Sequence, residues 1–402
     1  MNTNQSPKYN IIMLSNQLWS YPLWTNKKHV STRLAKLGHN VLFVDPPINT
    51  GRLFARQLLK GKWTLKRLIE KTTKEDEITV FSPLDYSPNH EKMAAQHVET
   101  IRRLEDKLFD SSRKTILWIY HMEIQGLEHY VEDLPYDILV YDCVDNYAGF
   151  PKYDTSQKKA AINAQEKYLA SKADIVFATA PGLVEKLKKY NPNVHFTPNV
   201  GDYERFIKAR DLRDQLPEDI ASIPRPRIGF TGAVDSYKFD KELVRKIAED
   251  YPGYSFILIG PMALEDREAT VNELGLNGLR NIYFLGTKEY SDMPKYYAGF
   301  DVTIIPYLLN DYTVGGCFPV KFHEGLAAGV PSVVTNLPAY APFADVCYIS
   351  KSANEFSQNI RRALEEDSEA KVKERQRVAK DNNWEGKVAK MLALIQNFID
   401  NQ

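Results

Sequence analysis

Short, continuously apolar runs alternate with amphipathic stretches along the chain, and this rhythm restricts the fold more than any other feature. In the first half the apolar runs lie at 10–15, 41–44, 115–120, 138–141 and 175–179. Amphipathic stretches at 26–37, stopped by Gly38, and at 182–189 read as helices between them. After Pro224-Arg225-Pro226 a second series begins, with strands expected at 227–231, 255–259, 282–285, 302–306 and 332–335. Helices are expected at 241–250, 293–298 and 320–328, and a last one at 385–400. Strands that are apolar throughout, rather than at alternate positions, belong to parallel sheets covered by helices on both faces. The expected class is therefore α/β, with two doubly wound domains rather than one long sheet. Their expected bounds are 1–199 and 200–382, changing near 198–206 with an irregular connection up to about Pro226. Residues 383–402 are expected to form a helix crossing back to the first domain. Doubly wound domains take ligands beyond the carboxyl ends of their strands, so two of them are expected to face each other across a cleft.

Composition narrows the setting. A chain with 43% hydrophobic and 26% charged residues suits a soluble globular protein. Cys143, Cys317 and Cys347 have neither disulfide-framework nor zinc-site spacing, so a reducing compartment is expected. Residues 1–9 are polar, and no apolar run approaches the roughly 18 residues a bilayer span needs. The expectation is a cytoplasmic protein. Net charge is zero overall, yet 51–74 carries eight basic residues and one acid. There Arg52, Arg56, Lys62, Lys66 and Arg67 interleave with Phe54, Leu58, Trp63, Leu65 and Ile69. Such a stretch reads as docking on an anionic membrane surface, which adds a peripheral position at the inner face of the membrane, or as a solvated helix packed on the first domain. Its charge is local rather than spread along a groove, so nucleic acid is not an expected partner.

The most informative string runs from Phe318 to Val334 in the second domain. Pro319 suits the first helical position, where its missing N–H costs nothing. Free N–H groups of that first turn, with the helix dipole, make an anion site at Val320 and Lys321. Glu324 follows one turn behind, placed to accept hydrogen bonds from ribose hydroxyls. The string Pro-x-Lys-x-x-Glu-x-Leu-Ala-Ala-Gly-x-Pro-x-Val-Val resembles the donor-site helix of glycosyltransferase family 4, whose members have the GT-B architecture. The resemblance implies that Glu324 holds a nucleotide ribose and that 319–321 faces a diphosphate. Further segments resemble the family in order: 228–233 with Gly232, Lys238 six residues on, 281–286 ending at Gly286, 300–307, and 198–206. Where better-known members carry a first Glu near the donor sugar, this chain has Gly316. The loop 310–316 is then expected to meet the sugar through backbone N–H groups at Gly315 and Gly316, or through Asp311 and Thr313.

The first domain is expected to be the acceptor side. Residues 26–41 resemble the family's first helix with its Gly-His-x-Val exit, and an aromatic loop with Trp19 and Trp24 replaces the usual Gly-rich one. That loop can stack on sugars or lipid, or can simply plug the helix end. His121, after the run 116–120, and the pair Asp142 and Asp145, after 138–141, are the candidate catalytic groups. The alternative for the histidine is a structural role, and for the acids an Asx-turn cap. The metal-binding Asp-x-Asp of the other major glycosyltransferase architecture does not appear. No metal or other cofactor is therefore expected, and Lys321 and Lys238 are the candidates to neutralise a diphosphate leaving group. The implied activity is retaining transfer from a UDP-, GDP- or dTDP-sugar to a saccharide or lipid-linked acceptor of a surface glycan. A nucleotide-sugar 2-epimerase and a non-catalytic nucleotide-sugar-binding subunit are the alternatives.

Overall fold

The apolar runs of the first half become strands of one sheet. The computed structural model describes residues 7–21, 23–50, 55, 58–59, 71–261, 271–272 and 274–402. The chain divides into two units, Met1–Thr197 with Leu394–Gln402, and Pro198–Ala393. In the first, the strands are β1 (Asn10–Leu14), β2 (Asn40–Val44), β3 (Ile48–Asn49), β4 (Thr72–Glu75), β5 (Ile78–Phe81), β6 (Leu84–Asp85), β7 (Thr115–Ile119), β8 (Ile138–Cys143), β9 (Ile175–Ala178) and β10 (Val194–Phe196). The main sheet runs β10-β9-β8-β7-β1-β2-β5-β4, with β3 and β6 forming a small separate pair. All its pairings are parallel except β4 with β5 at one edge. β1, β8 and β9 are buried at every position, as runs without a polar face must be. The first helix, Asn26–Lys36, ends where Gly38 takes φ +86°, a left-handed stop that a side chain would strain. Helices His90–Leu108 and Ser156–Lys172 are opened by Asn89 and Thr155, whose side chains accept from Lys92 and Lys158 N–H at 3.0 and 3.2 Å. The order reverses between β1 and β7, so the crevice of this unit lies where β1 hands over to Ser15 and β7 to Tyr120.

The second unit holds β11 (Arg227–Thr231), β12 (Ser255–Ile259), β13 (Ile282–Gly286), β14 (Val302–Ile305), β15 (Ser332–Thr335) and β16 (Tyr348–Ser350). They form one parallel sheet in the order β13-β12-β11-β14-β15-β16. Its reversal lies between β11 and β14, which places Gly232 and Tyr307 at the crevice. Helix Lys241–Asp250 starts on Asp240, whose carboxylate accepts from Leu243 N–H at 2.9 Å. Two helices outside the sequence expectation, Ala353–Glu365 and Glu369–Asp381, are opened in the same way by Ser352 and Ser368. The last helix is Trp384–Asp400.

Three local expectations are corrected. Residues 310–316 are not a loop: Asp311–Gly316 is a short helix, because Asn310 and Thr313 form a reciprocal capping box. Pro319 is not the first helical residue but the N-cap, with ψ 125°, and the helix is Val320–Ala327. The connection before Pro226 is not wholly irregular, since Tyr203–Phe206 and Glu218–Ala221 are single helical turns with Phe206 and Ile220 buried in the core. Among the described residues, no helix is long and apolar enough to cross a membrane.

Candidate functional site

At the crevice of the second unit, β11 runs into Gly232 at φ +123°, a conformation that favours glycine. A Cβ there would collide with Nζ of Lys321. The Lys321 ammonium lies 4.0 Å from the Phe230 ring centroid and 5.2 Å from that of Tyr307. Among the described residues it has no salt-bridge partner. Burial, reinforced by the charge of Lys238, lowers its pKa to about 7, against the pull of Asp235, Cys317 and Glu324. Lys238, by contrast, pairs with Asp235 at 2.8 Å. Burial pulls its pKa down, but Tyr307 and Asp235 outweigh that and hold it above its ordinary value. One compensated and one uncompensated cation thus share the crevice, and its local field favours an anion. The helix Val320–Ala327 adds to that field: among the described residues no side chain caps its N-terminus, and no acid lies in its first turn.

Glu324 sits one turn behind, 7% exposed. Its Oε1 accepts from the Tyr290 hydroxyl at 2.7 Å. Burial raises its pKa to about 7; the Tyr290 bond opposes this, Asp202 adds to it, and Lys321 and Arg205 oppose it. Tyr290 is itself held by Arg205, whose guanidinium lies 4.8 Å from the ring centroid, and by the edge of Phe206 at 5.8 Å. Arg205 in turn bonds Asp202 at 3.1 Å. Gly286, at φ +70°, ends β13, and its carbonyl accepts from Gly260 N–H at 2.9 Å.

Of the residues expected to meet a donor sugar, Asp311 is exposed, Gly315 has open space around it, and Gly316 is buried. Thr313 is fully buried, and its hydroxyl is committed to the cap and to Leu308 O. A sugar could therefore not reach it as the sequence expectation had it. The segment is tied to the lysine loop by Asn310 Nδ2 donating to Tyr237 O and Leu308 N donating to Lys238 O, both at 2.8 Å.

In the first unit, His121 is 4% exposed and donates from Nε2 to Ser15 O at 3.1 Å, which leaves Nδ1 an acceptor. Burial, with Lys27 and Lys152, lowers its pKa to about 3, so the ring is neutral. Asp142 is completely buried, with Oδ2 accepting from the Trp118 indole at 3.3 Å, so it braces β7 against β8 and does not reach the surface. Asp145 lies two residues past the end of β8 and is half-buried. Lys27 joins this group: it is 5% exposed, 5.4 Å from the Tyr120 ring centroid, and burial lowers its pKa against Asp145 and Asp142. Trp19 packs edge-on to Phe43 at 5.0 Å and Trp24 edge-on to His29 at 5.2 Å. Arg52, Arg56, Lys62, Trp63, Lys66 and Arg67 lie outside the described residues. Among the described residues, no three His, Cys, Asp or Glu side chains are grouped to hold a metal.

Sequence reasoning missed Tyr290, Asp235, Arg205 and Lys27. Tyr290 and Arg205 stand far from Glu324 in sequence, and only the fold brings them to it. Lys27 carried a signal, a lysine in the first turn of a helix, that went unread.

Residues 225–366 match the family model for Glycosyl transferases group 1. That segment contains Gly232, Lys238, Tyr290, Lys321 and Glu324. The Bacillus subtilis protein TuaH, named for a glycosyltransferase of teichuronic acid biosynthesis, is 28% identical over 216 residues. The match takes in 51% of this chain and 52% of TuaH, about half the length of that relative. Among solved structures, sucrose-phosphate synthase from Thermosynechococcus elongatus superposes with a TM-score of 0.68 at 14% identity, covering 98% of this chain and 100% of that one. Anabaena HepE in complex with UDP and glucose superposes at 0.59 and 15% identity, covering 96% and 99%. The fold is that of the GT-B glycosyltransferases, and the glycosyltransferase family model and relative each match part of the chain.

Proposed function

We propose that the protein transfers a sugar from a nucleotide-sugar donor, held by the second unit, to a saccharide or lipid-linked acceptor of a surface glycan. The observation that carries this reading is the Lys321 ammonium, without a carboxylate partner or a side-chain cap on the helix N-terminus beside it among the described residues, against Gly232. A diphosphate supplies what that place lacks. As the sugar leaves, negative charge grows on the diphosphate, and Lys321, the first-turn N–H groups of 320 and 321 and Lys238 neutralise it. Binding the diphosphate also draws the Lys321 equilibrium back toward the ammonium. Glu324, one turn behind, accepts from ribose hydroxyls through the oxygen that Tyr290 leaves open. Gly232 and Gly286 let the backbone come close to the nucleotide, with Pro319 and Val320 opening the helix over it.

The pathway is inferred from the name of TuaH, and UDP is the first donor to test because HepE was solved with it. Retention of configuration follows from the family resemblance. His121 and Asp145 are the first-unit groups assigned to the transfer. The test is nucleoside diphosphate release from UDP-, GDP-, ADP- and dTDP-sugars, with and without saccharide acceptors. Turnover of at least one donor, lost in Lys321→Gln, is the expected result. Tight nucleotide binding with no turnover of any donor would instead make the chain a non-catalytic binding subunit.

A further inference from the structure

The second unit has a cavity of about 410 Å³ at the end of its sheet opposite the donor crevice. Arg225, Phe300 with Asp301, and Val330 with Pro331 line it, and they stand just before β11, β14 and β15. Gly232 and Tyr307 lie past the other ends of β11 and β14, roughly 15–20 Å away by the rise of an extended chain. Three arginines line the cavity, Arg210, Arg213 and Arg225, against two acids, Asp301 and Asp367. Both acids are already engaged. Asp301 pairs with Arg225 and accepts from Arg227 N–H at 2.7 Å. Asp367 pairs at 2.6 Å with Arg375, a buried residue whose guanidinium also donates to Gly329 O at 2.7 Å. Arg375 thus serves the carbonyl end of the helix Val320–Ala327, helped by Gln376 donating to Ala327 O at 3.3 Å.

Arg210 and Arg213 are left without comparable partners. Arg210 meets only Glu369, which is 73% exposed and outside the cavity, and a pair so open to water contributes little. Arg213 has neither an ion pair nor a hydrogen bond among the described residues. The two share one side of their segment. Ile207–Leu212 is a 3₁₀ helix that Arg213 continues at φ −59° and ψ −29°, and with three residues per turn positions 210 and 213 stand one above the other. Like charges so placed repel each other, and a dianion between them removes the repulsion. We propose that this cavity binds a small phosphate monoester. Near neutral pH that group carries close to two negative charges on three acceptor oxygens, which the planar forks of two arginines match. A carboxylate brings one charge and leaves one guanidinium unmet. The site stands whether or not Lys321 holds a diphosphate.

The test is calorimetric titration of the full chain with glycerol 3-phosphate, glucose 6-phosphate and acetate. It is run in Lys321→Gln, which disables the donor anion site, and in that variant combined with Arg213→Gln or with Arg210→Gln. Saturable binding of at least one ester is expected in Lys321→Gln, weakened about tenfold by either arginine replacement, the loss of one charged hydrogen bond. Arg213 is exposed, so its replacement leaves the fold intact, which circular dichroism checks. Affinity should also rise as pH increases through about 6, where the ester takes its second charge while the arginines stay charged. Absence of binding by both esters, equal affinity with and without the two arginines, or acetate binding as tightly as the esters would each overturn the proposal. UDP titrated into the wild type reports on the donor site alone, and its failure to bind would count against that reading and not against this one.

Discussion

Replacing Tyr290 with Phe removes one hydroxyl and tests how the ribose carboxylate is prepared. The lost bond is O–H to carboxylate at 2.7 Å, and such charge-assisted bonds contribute about 1.5–3 kcal/mol. A tenfold change in an equilibrium is about 1.4 kcal/mol, so the Glu324 protonation equilibrium should move roughly 10- to 100-fold toward the neutral acid. In the wild type that carboxyl titrates at about 7, and at pH 7 about half the molecules hold it ionised. In Tyr290→Phe the ionised fraction at pH 7 falls to roughly a tenth or a hundredth. Apparent affinity scales with the competent fraction, which gives a loss of about 5- to 50-fold for UDP. Lys321 titrates in the same range and weakens diphosphate binding as pH rises, but it does so in both proteins. The ratio of wild-type to variant affinity therefore follows the charge on Glu324, both directly and through its pull on Lys321. Calorimetric titration of UDP at pH 6, 7, 8 and 9 should show that ratio shrinking toward the alkaline end. A ratio independent of pH would refute the reasoning, because it would mean that Tyr290 acts only by filling space.

Other perturbations have equally definite outcomes. Gly232→Ala must place a side chain at φ +123° against Lys321 Nζ; urea unfolding should show a loss of ~1–3 kcal/mol, and pyrophosphate affinity should fall with it. His323 lies fully buried among Phe318, Phe322 and Phe343 with neither ring nitrogen partnered among the described residues, and burial lowers its pKa to about 3. His323→Leu should therefore stabilise the fold by ~1–3 kcal/mol at pH 7, measured by the same unfolding. A histidine held neutral contributes stability present above pH 6.5 and lost as pH falls toward 3, by about 1.4 kcal/mol per pH unit. The advantage of His323→Leu should consequently grow between pH 6.5 and 5. Glu324 has the opposite sign: its raised pKa favours the fold at low pH, and that contribution is lost as pH rises from about 4.5 to 7. Stability of Glu324→Gln relative to wild type should thus rise through that window, and a flat difference would contradict the buried, protonatable carboxyl.

How much of this was legible in the sequence depends on how local the signal is. The strands were readable because runs such as Ile11-Ile12-Met13-Leu14 and Ile257-Leu258-Ile259 are apolar at every position, and only a sheet buried on both faces accommodates that. Segment 310–316 was misread because Gly315 and Gly316 suggest a loop, whereas the Asn310–Thr313 capping box satisfies enough backbone to hold one helical turn. The helix bearing Lys321 and Glu324 was legible as a string, but its electrostatics were not. Its lysine loses charge to burial and to Lys238, and its glutamate is set by Tyr290, Arg205 and Asp202 from other elements. The same holds for His121, whose acceptor nitrogen is decided by the carbonyl of Ser15, just past the neighbouring strand. Charge on a side chain can be read from sequence; its partners require the fold.

The most direct test of a nucleotide site in the second unit is calorimetric titration of UDP against wild type and Glu324→Ala at pH 8, where the carboxyl is mostly ionised. Binding by the wild type, weakened by about 1–3 kcal/mol in the variant, is the expected result. Equal affinities for the two proteins would contradict the placement of the ribose on Glu324.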